Sequence, residues 1–377
     1  MNISEFIAQK KELYAVILNF IENKNNSDDS SQETTNFLDT HQIRDNKEDM
    51  RLLLHLIVKI TNNHHRDSNF LSKIKKLLQS LEQDIKQTFS NLEIFDLFKK
   101  SKILLLYLFE MKIVTVDETI AAFMLKKSDS SLSKFFYNEI KPFTDDRNSK
   151  AIEKELSASN AFKNFEENRQ KGENESILCE LIRRDSIDEF TSHVSENKLS
   201  LSSKIKLSLF ETNPFLIKKK EPTLIEYSAF YGSIQIFKYL QQNKIELKPS
   251  LWLYAIHSNN IDLIRLLDEN KIEPDDKTFN ECLKESIKCH HREMTKIIND
   301  HLSSQKDNDG YKSNLLYYCF HYYNFPQFPS DFISDKFTFY YACNFDYIQI
   351  VKFYLKNEKV EINAKIILKV FPIKFLN

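Results

Sequence analysis

A duplication in fixed register constrains this chain more than any other feature. TLIEYSAFYGSIQIFKYLQQNKIE, from Thr223, aligns with SLWLYAIHSNNIDLIRLLDENKIE, from Ser250, at an offset of 27 residues. Tyr227 falls on Tyr254, Ile234 on Ile261, Leu240 on Leu267, and Asn243-Lys244-Ile245-Glu246 on Asn270-Lys271-Ile272-Glu273. A repeat period between about 20 and 50 residues marks a stacked array of supersecondary units. Each copy reads as two short helices, with apolar positions at helical spacing (Ile234, Phe237, Leu240; Ile261, Ile264, Leu267). Neither helix can bury its stripe alone, so each copy must stack on neighbours.

The punctuation around these helices extends the array. Ser186-Ile187-Asp188-Glu189, Thr223-Leu224-Ile225-Glu226 and Thr278-Phe279-Asn280-Glu281 fit the capping box, and Asp346-Tyr347-Ile348-Gln349 is a weaker version. Helix exits recur at Asn197-Lys198-Leu199, Asn243-Lys244-Ile245, Asn270-Lys271-Ile272 and Asn357-Glu358-Lys359-Val360. The chain has only 3 glycines. Asn, which tolerates the left-handed conformation at a helix end, is therefore expected to stand in for Gly.

Outside the array the pattern is also helical. Apolar faces occur at 3–22, 47–61, 69–88, 91–110 and 116–126, with Ser90-Asn91 as a break and Asp117 as a cap. Residues 23–36 are polar and of low complexity, which predicts a flexible loop. Residues 144–172 are mostly charged and read as a linker, although Ile152, Leu156, Phe162 and Phe165 would allow a loose helix.

Composition narrows the function classes. There are 53 basic and 54 acidic residues, for a formal charge of −1, which argues against a dedicated nucleic-acid or anionic-membrane surface. Scarce Gly argues against Gly-rich phosphate loops. The 5 cysteines are odd in number and scattered through helical patterns, as for reduced core thiols. The run Ile103 to Phe109 is too short to span a membrane, and no cleavage-site pattern follows the first apolar stretch. A cytoplasmic location is expected.

TLIEYSAFYGSIQIFKYL resembles the ankyrin-repeat consensus. Thr223 sits at the opening Thr, Ser228-Ala229 at the Ala pair and Gly232 at the Gly before the second helix; Ser250, Ala255-Ile256 and Asn259 fill the same columns. FYYACNFDYIQIVKFYLKNEKVEIN, from Phe339, is a third match. The Pro that follows Thr in that family is missing, the His is replaced by Glu226 and Leu253, and the period is short of the ankyrin 33. The resemblance thus implies ankyrin-type repeats with short loops in place of hairpin fingers. The whole chain also resembles the ankyrin-repeat proteins of trichomonad protists, on LLLHLIVKITNNHHR, ETNPFLIKKKEPTLIEYSAF and ECLKESIKCHHRE. That likeness implies organisation and no mechanism.

The expected fold is therefore all-α. It comprises a helical N-terminal domain (1–143), a polar linker (144–172) and an α-solenoid of degenerate ankyrin-type repeats with shortened loops (173–377), clearest at 222–248, 249–275 and 337–363. By the family resemblance, the residues just before the Gly column form the concave, partner-facing surface: Phe230, Tyr231, His257, Ser258, Lys288, Asn344 and Phe345, with Cys289 beside Lys288. The function implied is a non-catalytic scaffold or adaptor for a protein partner, with no cofactor, metal or nucleic acid. No Walker A, GxSxG, HExxH or dinucleotide fingerprint is present. The alternative is an enzyme or metal protein with its site in the N-terminal domain, resting on His64 and His65. The histidine pair His290-His291, after Cys289, and the basic run Lys218-Lys219-Lys220 read as an interhelical turn and a solvated loop. The apolar tail (Ile366, Ile367, Leu368, Val370, Phe371) either caps the array of a monomer or supports weak self-association.

Overall fold

A computed structural model describes residues 3–23, 28–126, 130–158, 161–302, 309–328 and 336–356. They are overwhelmingly helical. In chain order the first helices are α1 (Ile3–Glu22), α2 (Asp28–Thr40), α3 (Lys47–Asn63), α4 (Phe70–Ser80), α5 (Glu82–Thr88), α6 (Asn91–Phe98), α7 (Lys102–Glu110), α8 (Glu118–Met124), α9 (Ser130–Phe135), α10 (Tyr137–Ile140), α11 (Asp146–Ala158) and α12 (Phe165–Lys171). There follow α13 (Ile177–Arg183), α14 (Ile187–Glu196), α15 (Pro214–Lys219), α16 (Leu224–Tyr231), α17 (Ile234–Gln242), α18 (Leu251–Ser258), α19 (Ile261–Glu269), α20 (Asn280–Lys288), α21 (Arg292–His301), α22 (Asp309–Tyr322), α23 (Lys336–Asn344) and α24 (Ile348–Lys356). Among the described residues the one β-type pairing is an isolated antiparallel bridge between Lys204 and Thr223. None of the described helices is long and apolar enough to cross a membrane.

The residues group into two compact units whose ranges interleave along the sequence. One holds Met1–Lys59, Arg66–Leu77 and Leu283–Asn377; the other holds Ile60–His65 and Leu78–Cys282. The units thus do not follow the linear order of domain, linker and array. The apolar C-terminal tail lies outside the described residues.

In the first unit, α1 buries the face its spacing predicts, from Ile3 through Phe6, Leu13 and Ile17 to Ile21. Lys10 shares that face and is 0% exposed. Its ammonium pairs with Asp49 of α3, and Asp49 also accepts a 3.1 Å hydrogen bond from Gln349 of α24. Burial lowers the affinity of Lys10 for its proton, and the Asp49 carboxylate opposes that. Lys352 of α24 bridges to Glu48 at 2.5 Å. The polar run after α1 is not a loop over its whole length. From Asp28 it forms α2, which packs on α1 and buries Thr34 and Leu38. Two buried side chains on a helix with a ready-made neighbour are enough to order a segment that composition alone leaves extended.

In the second unit, several helix starts carry local caps. Ser90 forms a full capping box with Glu93, and the Asp117 side chain accepts from the Ile120 amide at 2.9 Å. Residues 144–172 are not a free tether. They contain α11 and α12, and Ile152, Leu156, Ala161 and Phe165 pack with Tyr137 and Phe210 into one buried cluster. Arg169 of α12 grips Glu139 through two hydrogen bonds of 2.7 and 2.8 Å. The charged residues there solvate one face of two helices whose other face is core.

Candidate functional site

The repeated part of the second unit consists of three helix pairs, α13/α14, α16/α17 and α18/α19. Their first helices lie side by side in order, α13 on α16 and α16 on α18, and α14 packs on α17. The link from α17 to α18 is residues 243–250 and contains no strand.

Each pair turns through a left-handed residue in one column. In the second unit these are Asp185 (φ 49°), Gly232 (φ 74°) and Asn259 (φ 54°); in the first unit the same column gives His290 (φ 60°) and Asp346 (φ 62°). Gly adopts this conformation freely, and Asn, Asp and His adopt it more readily than most residues. At Gly232 a Cβ would also meet the Ser258 side chain at 3.3 Å. The second helices end differently from the sequence expectation. Asn197, Asn243 and Asn270 are not left-handed. Each sits at the helix end with φ near −90° to −82°, and its side-chain amide donates to the carbonyl four residues back, at 2.8, 2.8 and 2.7 Å. The lysine that follows takes the left-handed position (Lys198 50°, Lys244 61°, Lys271 55°). The next amides, of Leu199, Ile245 and Ile272, then reach back to Val194, Leu240 and Leu267. This is the Schellman motif with Lys in the usual Gly place. Of the expected capping boxes, Thr223–Glu226 forms, and Ser186 makes no side-chain cap. At α20 the Asp276 carboxylate accepts from both the Thr278 hydroxyl and the Glu281 amide.

The seven residues assigned to a partner-facing surface are placed unequally. Phe230, His257 and Ser258 are interior, at 6%, 1% and 5% exposure, so they are not on a free face. For Phe230 and His257 the reason is α15, whose lysines read as a solvated loop from sequence alone. Phe215 of α15 stacks on Phe230 (5.8 Å between ring centroids), meets Tyr254 edge-on (4.9 Å) and lies 4.2 Å from His257. The Asn213 side chain accepts from the Phe215 and Leu216 amides to start this helix, with Pro214 in its first turn. Asn213-Pro214 was the legible signal. Lys218, Lys219 and Lys220 are exposed at its other end, as the solvated-loop reading holds for their side chains.

Tyr231 is half-buried. Its ring lies 4.8 Å from that of Tyr227, and the Arg183 guanidinium stands 5.9 Å from its centre. Arg183 also binds Glu173 (2.9 Å), the Asn174 carbonyl (2.9 Å) and the Tyr227 hydroxyl (3.0 Å). Burial raises both tyrosine hydroxyls well above their ordinary range, so both stay protonated. In the first unit, Lys288 is half-buried and pairs with Glu285 at 2.5 Å. Asn344 is exposed, and the half-buried Phe345 ring packs against Tyr317 and His321.

His64 is buried and His65 half-buried. Cys289, His290 and His291 are all buried, and the Tyr14 ring lies 5.6 Å from that of His290. Within either unit taken alone, the described residues bring no three potential ligand atoms together. The thiols of Cys289 and Cys319 are pushed well up by burial, and that of Cys179 to about 12. Such groups are poor nucleophiles at neutral pH.

No family model, no curated protein and no solved structure matches this chain.

Proposed function

We propose that the chain is a non-catalytic, cytoplasmic interaction scaffold. In this reading it is an ankyrin-type solenoid with shortened loops, joined to an N-terminal helical region, and it binds a protein partner. The observation that carries the reading is the recurrence of one left-handed residue in the same column of five helix pairs, Asp185, Gly232, Asn259, His290 and Asp346. A repeated turn of fixed geometry supports a repeated unit, and arrays of such units present extended surfaces rather than enclosed reaction centres. The balanced charge favours a protein partner over nucleic acid. In this reading the chain is a monomer or self-associates weakly through its apolar tail.

The test is capture from native extract on the purified full chain, read by quantitative mass spectrometry against an inert helical protein. It is repeated with Asn344→Ala and Phe345→Ala together. A stoichiometric partner that falls about tenfold or more in the double variant, at unchanged melting temperature, supports the scaffold reading. No protein retained above the control overturns it.

A further inference from the structure

We propose that α15 is a resident ligand of this repeat array. It fills an aromatic cleft made by Phe230, Tyr254 and His257, and that cleft, once vacated, takes a partner segment of the same chemistry. That segment is a short helix with an aromatic side chain followed one turn later by a lysine.

Four observations converge on this. First, α15 is surplus to connection. Eight residues, 243–250, suffice to join α17 to α18, whereas residues 197–223 lie between α14 and α16. Second, the contacts of the helix with the cleft centre on one ring. Phe215 supplies the ring contacts to all three cleft residues, Leu216 is the other fully buried apolar side chain of α15, and the Lys219 ammonium lies 5.5 Å from the Phe215 ring and 6.0 Å from Tyr254. An aromatic anchor seated in a groove, with a cation over its ring, is one way a short helix is held on a protein surface. Six residues are far too few for a helix to persist without such docking.

Third, both flanks are pinned outside the helix. The Thr212 amide and hydroxyl donate to the Gly172 carbonyl at 3.1 and 2.7 Å, and the Pro222 carbonyl accepts from the Ile205 amide at 2.8 Å. The segment can therefore lift between fixed points without unravelling the pairs on either side. Fourth, the exit is strained. Lys220 has φ 67° and ψ −75°, and the Glu221 amide bonds the Lys219 carbonyl across it at 3.0 Å. This is the rare positive-φ γ-turn on a residue with a side chain. Its strain persists while α15 is docked and is released when α15 lifts.

The inference rests on the scaffold reading only for its cellular meaning, because the test needs no cellular partner. A fluorescein-labelled peptide with the sequence of residues 211–221 is titrated by anisotropy into the full chain and into its Phe215→Ala variant. The variant is expected to bind saturably and at least about tenfold tighter than the parent, in which α15 holds the cleft. The same peptide carrying Phe215→Ala is expected to lose that binding. A folded variant that fails to bind, or a parent that binds equally well, overturns the proposal. Amide exchange in the parent decides the matter if the variant does not fold. Exchange at Ile217 and Lys220 faster than at Tyr227 of α16 supports a segment that opens on its own; equal rates make α15 part of the cooperative core and overturn it. Capture without peptide binding, or the reverse, separates this inference from the scaffold reading.

Discussion

The Asp185 carboxylate, at the turn of one helix pair, accepts hydrogen bonds of 3.0 Å from the Gln235 and Ile236 amides in the first turn of α17, in the next pair. The cap of one repeat is therefore supplied by its neighbour. Asp185 is also left-handed, at φ 49°. Asp185→Gly keeps that backbone and loses the cap, which should cost about 1 kcal/mol. Asp185→Ala loses the cap and adds strain, for about 2 kcal/mol in all. Urea denaturation of both variants checks the order; an Ala variant no worse than Gly would remove the strain half of the argument.

Lys244 and Lys271 occupy the position that Gly fills in most helix ends of this type, with φ of 61° and 55°. Lys244→Gly and Lys271→Gly should each stabilise the protein by about 1 kcal/mol, in near-additive fashion. By contrast, Asn243→Ala removes the amide bond to the Tyr239 carbonyl and should destabilise by about 1 kcal/mol. Calorimetric melting of the single and paired variants reads both signs.

The buried thiols give the protein an alkaline limit. An unfolded cysteine ionises near 9.0, whereas burial holds Cys179 at about 12 and Cys343 at about 11. Between those values the unfolded chain has already released protons that the folded chain retains. The stabilising contribution is thus complete below pH 9.0 and is lost as pH climbs toward the folded values. Urea midpoints should fall between about pH 9 and pH 11. Alkylation mapped by mass spectrometry in native buffer should label Cys343, the half-buried thiol, ahead of the buried Cys179, Cys282, Cys289 and Cys319.

What the sequence discloses here is the local part of the fold. The turn column is legible at Gly232 and Asn259, residues that accept positive φ, and the Asn-Lys exits repeat in register, whereas Asp346 reads from sequence as a helix cap and takes the left-handed turn instead. The division of labour between Asn and Lys was not legible, since it depends on a side-chain bond to the preceding turn. The packing of 144–172, where the sequence allows no more than a loose helix, is illegible for another reason. Four apolar residues among many charges signal a helix only if a partner surface is waiting, and Phe210, over forty positions beyond Phe165, supplies it. The interior placement of Phe230 and His257 escaped for the same cause. A surface column in a repeat becomes core when another segment lies on it, and nothing around Phe230 announces Phe215.

Asp49 takes one hydrogen bond from a residue 300 positions later, Gln349. At typical rates of synthesis, on the order of 15–60 s separate the two residues at the ribosome. For that interval Lys10 and Asp49 have each other but not α24, and the second unit, built almost wholly from Leu78–Cys282, gains its last residue before α24 is made. α1, made before the other described helices, is thus among the last of them to find all its neighbours.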